Sequence, residues 1–174
     1  MNNLILIGMP GVGKTEIGKM LSRELNWPLI DIDGVIEGKT DKSLQALLAE
    51  LGPEKFCDFE SLIVQQIGCN NTVIAPGGSI IYRQEAVKHL QELGVIIYLE
   101  TDLQTLAARV AKNPNRGVVA FGEKTLSALW QERHPLYQKH ADLVIHQNGM
   151  SVADCAVAVI EEAKRFGLKI PATC

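Results

Sequence analysis

The stretch Gly8-Met9-Pro10-Gly11-Val12-Gly13-Lys14-Thr15 constrains this chain more than any other, because it reads G-x-x-x-x-G-K-T between an apolar run and a helical pattern. The run before it, Leu4-Ile5-Leu6-Ile7, has the length of a buried strand, and the pattern after it starts at once. Strand, glycine-rich loop and helix in that order form the setting in which such a motif becomes a phosphate-binding loop. Without side chains, Gly8, Gly11 and Gly13 let the backbone reach positive φ and turn successive N–H groups inward toward phosphate oxygens. The unpaired N–H groups and positive dipole end of the following helix add to that field. Gly11, Val12, Gly13, Lys14, Thr15 and Glu16 are therefore expected to meet a nucleoside triphosphate. Lys14 would neutralise its β and γ phosphates, and the Thr15 hydroxyl would ligate Mg²⁺.

A length of 174 residues suits one domain with a substantial core. Acidic residues outnumber basic ones, 20 to 17, with no long basic cluster, which argues against a nucleic-acid partner and for a small-molecule one. No apolar run approaches membrane-spanning length and no signal-type segment opens the chain, so no membrane partner is expected and the chain reads as cytoplasmic. Cys57, Cys69, Cys155 and Cys174 have neither metal-ligand spacing nor a C-x-x-C pair, and reduced thiols follow. The four histidines are equally scattered.

The periodicity predicts a helix over about Lys14–Leu25, stopped by Asn26, and a short second strand, Pro28–Ile32, whose far end presents Asp31 and then Asp33. A right-handed parallel crossover brings that end beside the phosphate loop. Two carboxylates there have a clear use: Asp31 to hold Mg²⁺ through water, Asp33 to orient an acceptor hydroxyl and take its proton. Asp33 also stands where it can cap the turn Gly34–Glu37, and both roles are compatible. Ser43 opens a helical pattern that Gly52-Pro53 punctuates before a longer segment from Glu54 to about Ile67. With no strand between them, the helices of about 33–62 are expected to lie over the phosphate site and bind the acceptor, Phe56 and Phe59 supplying apolar wall.

Thr72–Ala75 reads as the third strand and ends in Pro76-Gly77-Gly78-Ser79. Its glycine pair, at the carboxyl end of the sheet, points to close approach of a ligand. A helix over Gln84–Leu93 leads to a fourth strand, Val95–Glu100. Asp102 caps a helix with Arg109 near its end. Ala111–Glu123 is polar, turn-rich and without period, and a closing lid is expected there. A helix resumes near Thr125 with Pro135 bending or interrupting it. Leu143–His146 forms the fifth strand, and Ser151 caps a last helix with Val152, Ala156, Val159, Ile160 and Ala163 on one side. The tail from Gly167 is expected to fray. The alternation of strands and helices supports an α/β class.

Taken in order, these motifs resemble the shikimate kinase family over nearly the whole chain. The resemblance rests on G-M-P-G-V-G-K-T at Gly8–Thr15, D-I-D at Asp31–Asp33, F-x-x-x-E at Phe56–Glu60, Gly77–Gly78, Arg109 and Arg116 flanking the lid, and E-R-H-P-L-Y at Glu132–Tyr137. It implies a three-layer P-loop NTPase fold of nucleoside-monophosphate-kinase type, with a five-stranded parallel sheet in order 2-3-1-4-5 and helices on both faces. It also implies ATP as co-substrate, Mg²⁺, shikimate or a related hydroxy acid as acceptor, and a role in aromatic amino acid biosynthesis; a monomer is expected. By position, Asp33 resembles the residue holding the acceptor hydroxyls and Arg133 an arginine binding the shikimate carboxylate. Arg116 resembles the lid arginine that meets the transferring phosphoryl group, and Arg109 the one against adenine. Gly77, Gly78 and Ser79, with Phe56, fall on the acceptor side.

Three positions depart from the family pattern. Phe56-Cys57-Asp58-Phe59-Glu60 stands for F-R-x-x-E, Gly77-Gly78-Ser79 for a triple glycine, and Arg116-Gly117-Val118-Val119 for R-P-L-L. Two other readings therefore stand beside the first: a relative with a different hydroxyl acceptor, and a nucleotide-binding protein without transferase activity. A GTPase is disfavoured because no N-K-x-D sequence occurs.

Overall fold

Strand β1 (Leu4–Ile7) is buried along its whole length, and it lies at the centre of the sheet. The computed structural model describes residues 2–112 and 124–170. Helix α1 (Lys14–Leu25) follows the phosphate loop and ends at Asn26, whose φ of 52° lets the chain turn back. Strand β2 (Leu29–Asp31) is followed immediately by α2 (Ile32–Thr40), α3 (Leu44–Gln65) and β3 (Val73–Ala75). A short 3₁₀ turn, Ile80–Tyr82, precedes α4 (Gln84–Leu93) and β4 (Val95–Glu100). The chain then forms α5 (Leu103–Lys112), α6 (Leu126–His140), β5 (Leu143–His146) and α7 (Val152–Phe166).

The five strands are parallel in the order β2-β3-β1-β4-β5, as the resemblance implies. Helix α1 packs beside α7, while α3, α4, α6 and the 3₁₀ turn form a second contiguous group, so the sheet is covered on both faces. That explains why β1, β3 and most of β4 read as unbroken apolar runs rather than alternating ones: both faces of these strands are out of water. At the amino end of the sheet, Asn3 is fully buried and spends its side chain on three backbone groups, donating to Cys69 and Leu93 carbonyls and accepting from Thr72 N–H. These contacts tie the starts of β1, β3 and β4 together and leave the carboxyl ends for the ligand side. Among the described residues no helix is long and apolar enough to cross a membrane.

Several sequence expectations need correction. Ile32 is not the last residue of β2 but the first of α2, and the helix is capped by Asp31, not Asp33: the Asp31 carboxylate accepts from Asp33 N–H at 3.2 Å. Helix α3 contains one break, at Gly52, where φ 74° and ψ 165° are open to glycine alone. Pro135 does not interrupt α6, which runs through to His140. On α7 the buried side carries Cys155 together with Ala156, Val159, Ile160 and Ala163, whereas Val152 is exposed. The chain beyond Gly167 is held rather than frayed as far as Ile170, because Asn2 bonds both backbone groups of Lys169 and Leu168 and Ile170 pack on the core. Ala111 and Lys112, expected to open the lid, are the last residues of α5; the rest of that expected lid, 113–123 including Arg116, lies outside the described residues.

Candidate active site

The phosphate loop takes the conformation its glycines permit, with φ of 148°, 86° and 98° at Gly8, Gly11 and Gly13. Gly13 is the N-cap of α1 and offers no side-chain acceptor, so the first N–H groups of the helix stay open at the loop. Lys14 curls back into the loop and donates to the carbonyls of Gly8 at 2.8 Å and Met9 at 3.1 Å. Burial lowers its ammonium to about 8, with Asp33 opposing that shift and Arg133 reinforcing it. An ammonium enclosed this way is stabilised by any anion that enters the loop.

Thr15, in the first turn of α1, and Asp31, at the end of β2, meet directly: Thr15 Oγ1 donates to Asp31 Oδ2 at 2.8 Å. Asp33, on the first turn of α2, opens onto a cavity of about 300 Å³ that also takes in Lys14, Phe56, Glu60, Gly78 and Arg133. Desolvation raises the Asp33 carboxyl above its ordinary value; Lys14 pulls against that rise, while Asp31 and Glu37 add to it. Phe56 is buried against the core and forms apolar wall, whereas Phe59 packs on the core without reaching the cavity.

The glycine pair after β3 has a more specific cause than the sequence suggested. A Cβ on Gly77 would come to 2.3 Å from Glu60 Oε1, and one on Gly78 to 3.1 Å from the Tyr137 hydroxyl and 3.2 Å from Arg133 Nη1. A side chain at Gly77 would therefore push Glu60 from its hydrogen-bonded place, and one at Gly78 would press on Tyr137 and Arg133; both positions also line the cavity. Glu60 is buried and accepts from Gly77 N–H at 2.8 Å and from the Ser79 hydroxyl at 2.7 Å. Burial nevertheless pushes its carboxyl up to about 7. Ser79 itself is buried, its hydroxyl committed to Glu60.

Arg133 is buried on α6, its Nε donating to the Tyr82 hydroxyl at 3.1 Å and its guanidinium carbon 5.2 Å from the centre of the Tyr82 ring. Among the described residues it is the arginine that reaches the cavity. Cys57, where the family pattern has an arginine, is a buried thiol pushed up to about 11 by burial, and so stays neutral. Arg83 lies next to it but is held by Asp58 at 2.7 Å and by the Glu54 carboxylate and carbonyl, both at 3.0 Å.

A second cavity, of about 380 Å³, lies on the opposite side of the phosphate loop. Val12, Glu16, Arg109, Gln147 and Ser151 line it. Arg109 Nη1 bonds the Val12 carbonyl at 3.1 Å and Gln147 Oε1 at 2.8 Å, which fixes the guanidinium across the cavity wall. Gly11 and Gly13 belong to both cavities, so the loop is the partition between them.

Glu60, Tyr82, Tyr137 and Gln147 are not singled out by the sequence as individual residues. Glu60 could have been found, since it stands four positions after Phe56 on one helix and must share its face. Nothing in the spacing singles out Tyr82 or Gln147. The scattered histidines also hid a meeting: His134 and His146 both approach Glu100 at the end of β4.

A parallel sheet in this order, a glycine-rich loop opening onto α1, and cavities on either side of that loop define a P-loop phosphotransferase architecture. Residues 10–164 match the family model "Shikimate kinase". Shikimate kinases of Thermodesulfovibrio yellowstonii and Nostoc punctiforme are 33% and 37% identical to it over 169 and 163 residues, covering 95% and 91% of this chain and 97% and 89% of theirs. The shikimate kinase from Acinetobacter baumannii, solved in complex with shikimate, superposes with a TM-score of 0.88 at 27% identity, covering 97% of this chain and 96% of that one. The Aquifex aeolicus enzyme shares the fold, with a TM-score of 0.80 at 21% identity. The chain belongs to the shikimate kinase family.

Proposed function

We propose that this protein transfers the γ-phosphate of ATP to a hydroxyl of shikimate, giving shikimate 3-phosphate. The observation that carries this reading is the partition: one phosphate loop stands between two cavities, with Lys14 and Asp33 on one side and Arg109 on the other. ATP would lie across the loop, its base against Arg109 and its phosphates in the cradle of Gly11, Val12, Gly13, Lys14 and Thr15, with Glu16 beside the nucleoside. The acceptor would occupy the cavity walled by the segment 33–62, between Asp33, Phe56, the turn Gly77–Ser79 and Arg133.

The Thr15–Asp31 pair fits Mg²⁺, which takes few protein ligands and keeps most of its water. When bound, the ion would screen the phosphate charge. Thr15 would hold it directly and Asp31 through water. Asp33 then orients the attacking hydroxyl and accepts its proton, a task to which its raised pKa is suited. Lys14 follows the γ-phosphoryl group, supplying charge where negative charge develops. Arg133 pairs with the acceptor's carboxylate, a planar match for its guanidinium.

The test is ADP release from MgATP with shikimate and, in parallel, a panel of other hydroxy acids and polyols. Release is expected with shikimate, and Lys14→Met should reduce it at least a hundredfold while leaving the fold intact. Release with another panel member and none with shikimate would reassign the acceptor. Release that Lys14→Met does not change would remove the loop from catalysis.

A further inference from the structure

The acceptor side presents one guanidinium among the described residues, that of the buried Arg133. A lone guanidinium receives a carboxylate well only when its plane is fixed before the ligand arrives. Tyr137 bonds it, and Tyr82 adds a second restraint. Tyr82, on the 3₁₀ turn that directly follows the Gly77–Ser79 turn, lays its ring against the Arg133 guanidinium and accepts a hydrogen bond from Arg133 Nε at 3.1 Å. Its own proton is donated to Glu132 Oε1 at 2.8 Å, and Lys124 holds the other Glu132 oxygen at 2.6 Å. Lys124, followed by Tyr82, keeps the Glu132 carboxyl below its usual range, so it remains an ionised acceptor. With its proton committed to Glu132, the Tyr82 oxygen has a lone pair facing Arg133, and the hydroxyl cannot rotate away without breaking a charge-assisted bond.

We propose that Tyr82 is a positioning residue for acceptor binding: its hydroxyl and ring hold Arg133 in the orientation that presents its guanidinium to the acceptor's carboxylate. Arg133 Nη1 lies 3.2 Å from where a Gly78 Cβ would stand, and both residues line the cavity, so with Nε engaged by Tyr82 it is the Nη end of the guanidinium that a ligand would meet. The Lys124–Glu132–Tyr82 chain sets specificity for an anionic acceptor by removing the cost of ordering Arg133 at the moment of binding. This inference rests on the shikimate reading above.

The experiment compares steady-state kinetics of the wild type, Tyr82→Phe and Glu132→Gln with shikimate and MgATP. Tyr82→Phe keeps the ring and removes the hydroxyl; it should raise the KM for shikimate about tenfold, with kcat and the KM for ATP changed less than about twofold. Glu132→Gln keeps an acceptor for the Tyr82 proton and should raise the same KM by a smaller factor. A structural role would lower performance whatever occupies position 133, so the cycle is completed in an Arg133→Lys background. There, with no guanidinium to orient, Tyr82→Phe should change the shikimate KM less than about twofold. An unchanged KM for Tyr82→Phe in the wild-type background, or an equal factor in both backgrounds, would overturn the proposal while leaving the shikimate reading intact. No shikimate turnover by the wild type would overturn that reading and this inference with it.

Discussion

Glu60 is a buried acid whose two oxygens receive an N–H and a hydroxyl, yet desolvation wins and holds its carboxyl at about 7, above the ordinary 4.5. The consequence has a definite sign. Below the unfolded value both states are protonated and the contribution of Glu60 to stability is complete. Between the two values the unfolded chain ionises while the folded one does not, so stability falls as pH rises, and the loss is complete above the folded value. Glu60→Gln cannot titrate. The stability advantage of wild type over this variant should therefore shrink by about 3 kcal/mol between pH 4.5 and pH 8, read from urea unfolding at each pH. An advantage that stays constant or grows would mean that Glu60 is ionised in the folded protein. At this scale the sequence was legible where a motif carried the residue: Lys14, Thr15, Asp31 and Asp33 lie where the loop and the D-I-D segment suggested. Cys57 and Ser79 were visible as departures. Their three-dimensional sense was not, because the Ser79 hydroxyl serves Glu60, which is nineteen positions away and on another element.

The elements were the most readable level, and their errors have local causes. Helix α1 and strand β4 fall where apolar spacing placed them. The boundary between β2 and α2 moved because Asp31 can end a strand and cap a helix with the same carboxylate, and spacing alone does not say which of two aspartates two residues apart will cap. The 3₁₀ turn that carries Tyr82 is too short to leave a period. Gly52 interrupts the helical pattern of the sequence, and its dihedrals give that interruption an energetic cost. No atom lies within 4 Å of where its Cβ would stand, so Gly52→Ala collides with nothing and pays only for a backbone conformation that a side chain disfavours. A loss of about 1–3 kcal/mol in chemical unfolding is expected. A neutral or stabilising effect would show that α3 can straighten through this position at no cost. Because the break lets the Leu44 half and the Phe56 half of α3 both face the acceptor cavity, the variant should also weaken acceptor binding more than ATP binding.

For the molecule as a whole, the sheet order puts β1 between β3 and β4, so the loop leaving its carboxyl end is flanked by the Gly77–Ser79 turn on one side and by the last turn of α5 on the other. That topology divides the ligand space in two. Strand alternation in the sequence implied an α/β protein, but the order came through the resemblance, since parallel crossovers of similar length permit several arrangements. In the proposed reaction a phosphoryl group crosses this partition onto a hydroxyl of an acceptor held by Arg133. The most direct measurement is ³¹P NMR of the wild-type protein with MgATP and shikimate, followed over time. The γ-phosphate signal should disappear with matching growth of ADP, and a new phosphomonoester signal should appear whose proton coupling places it on the 3-hydroxyl carbon of shikimate. ADP accompanied only by inorganic phosphate, or no change in ATP, would contradict the proposed reaction.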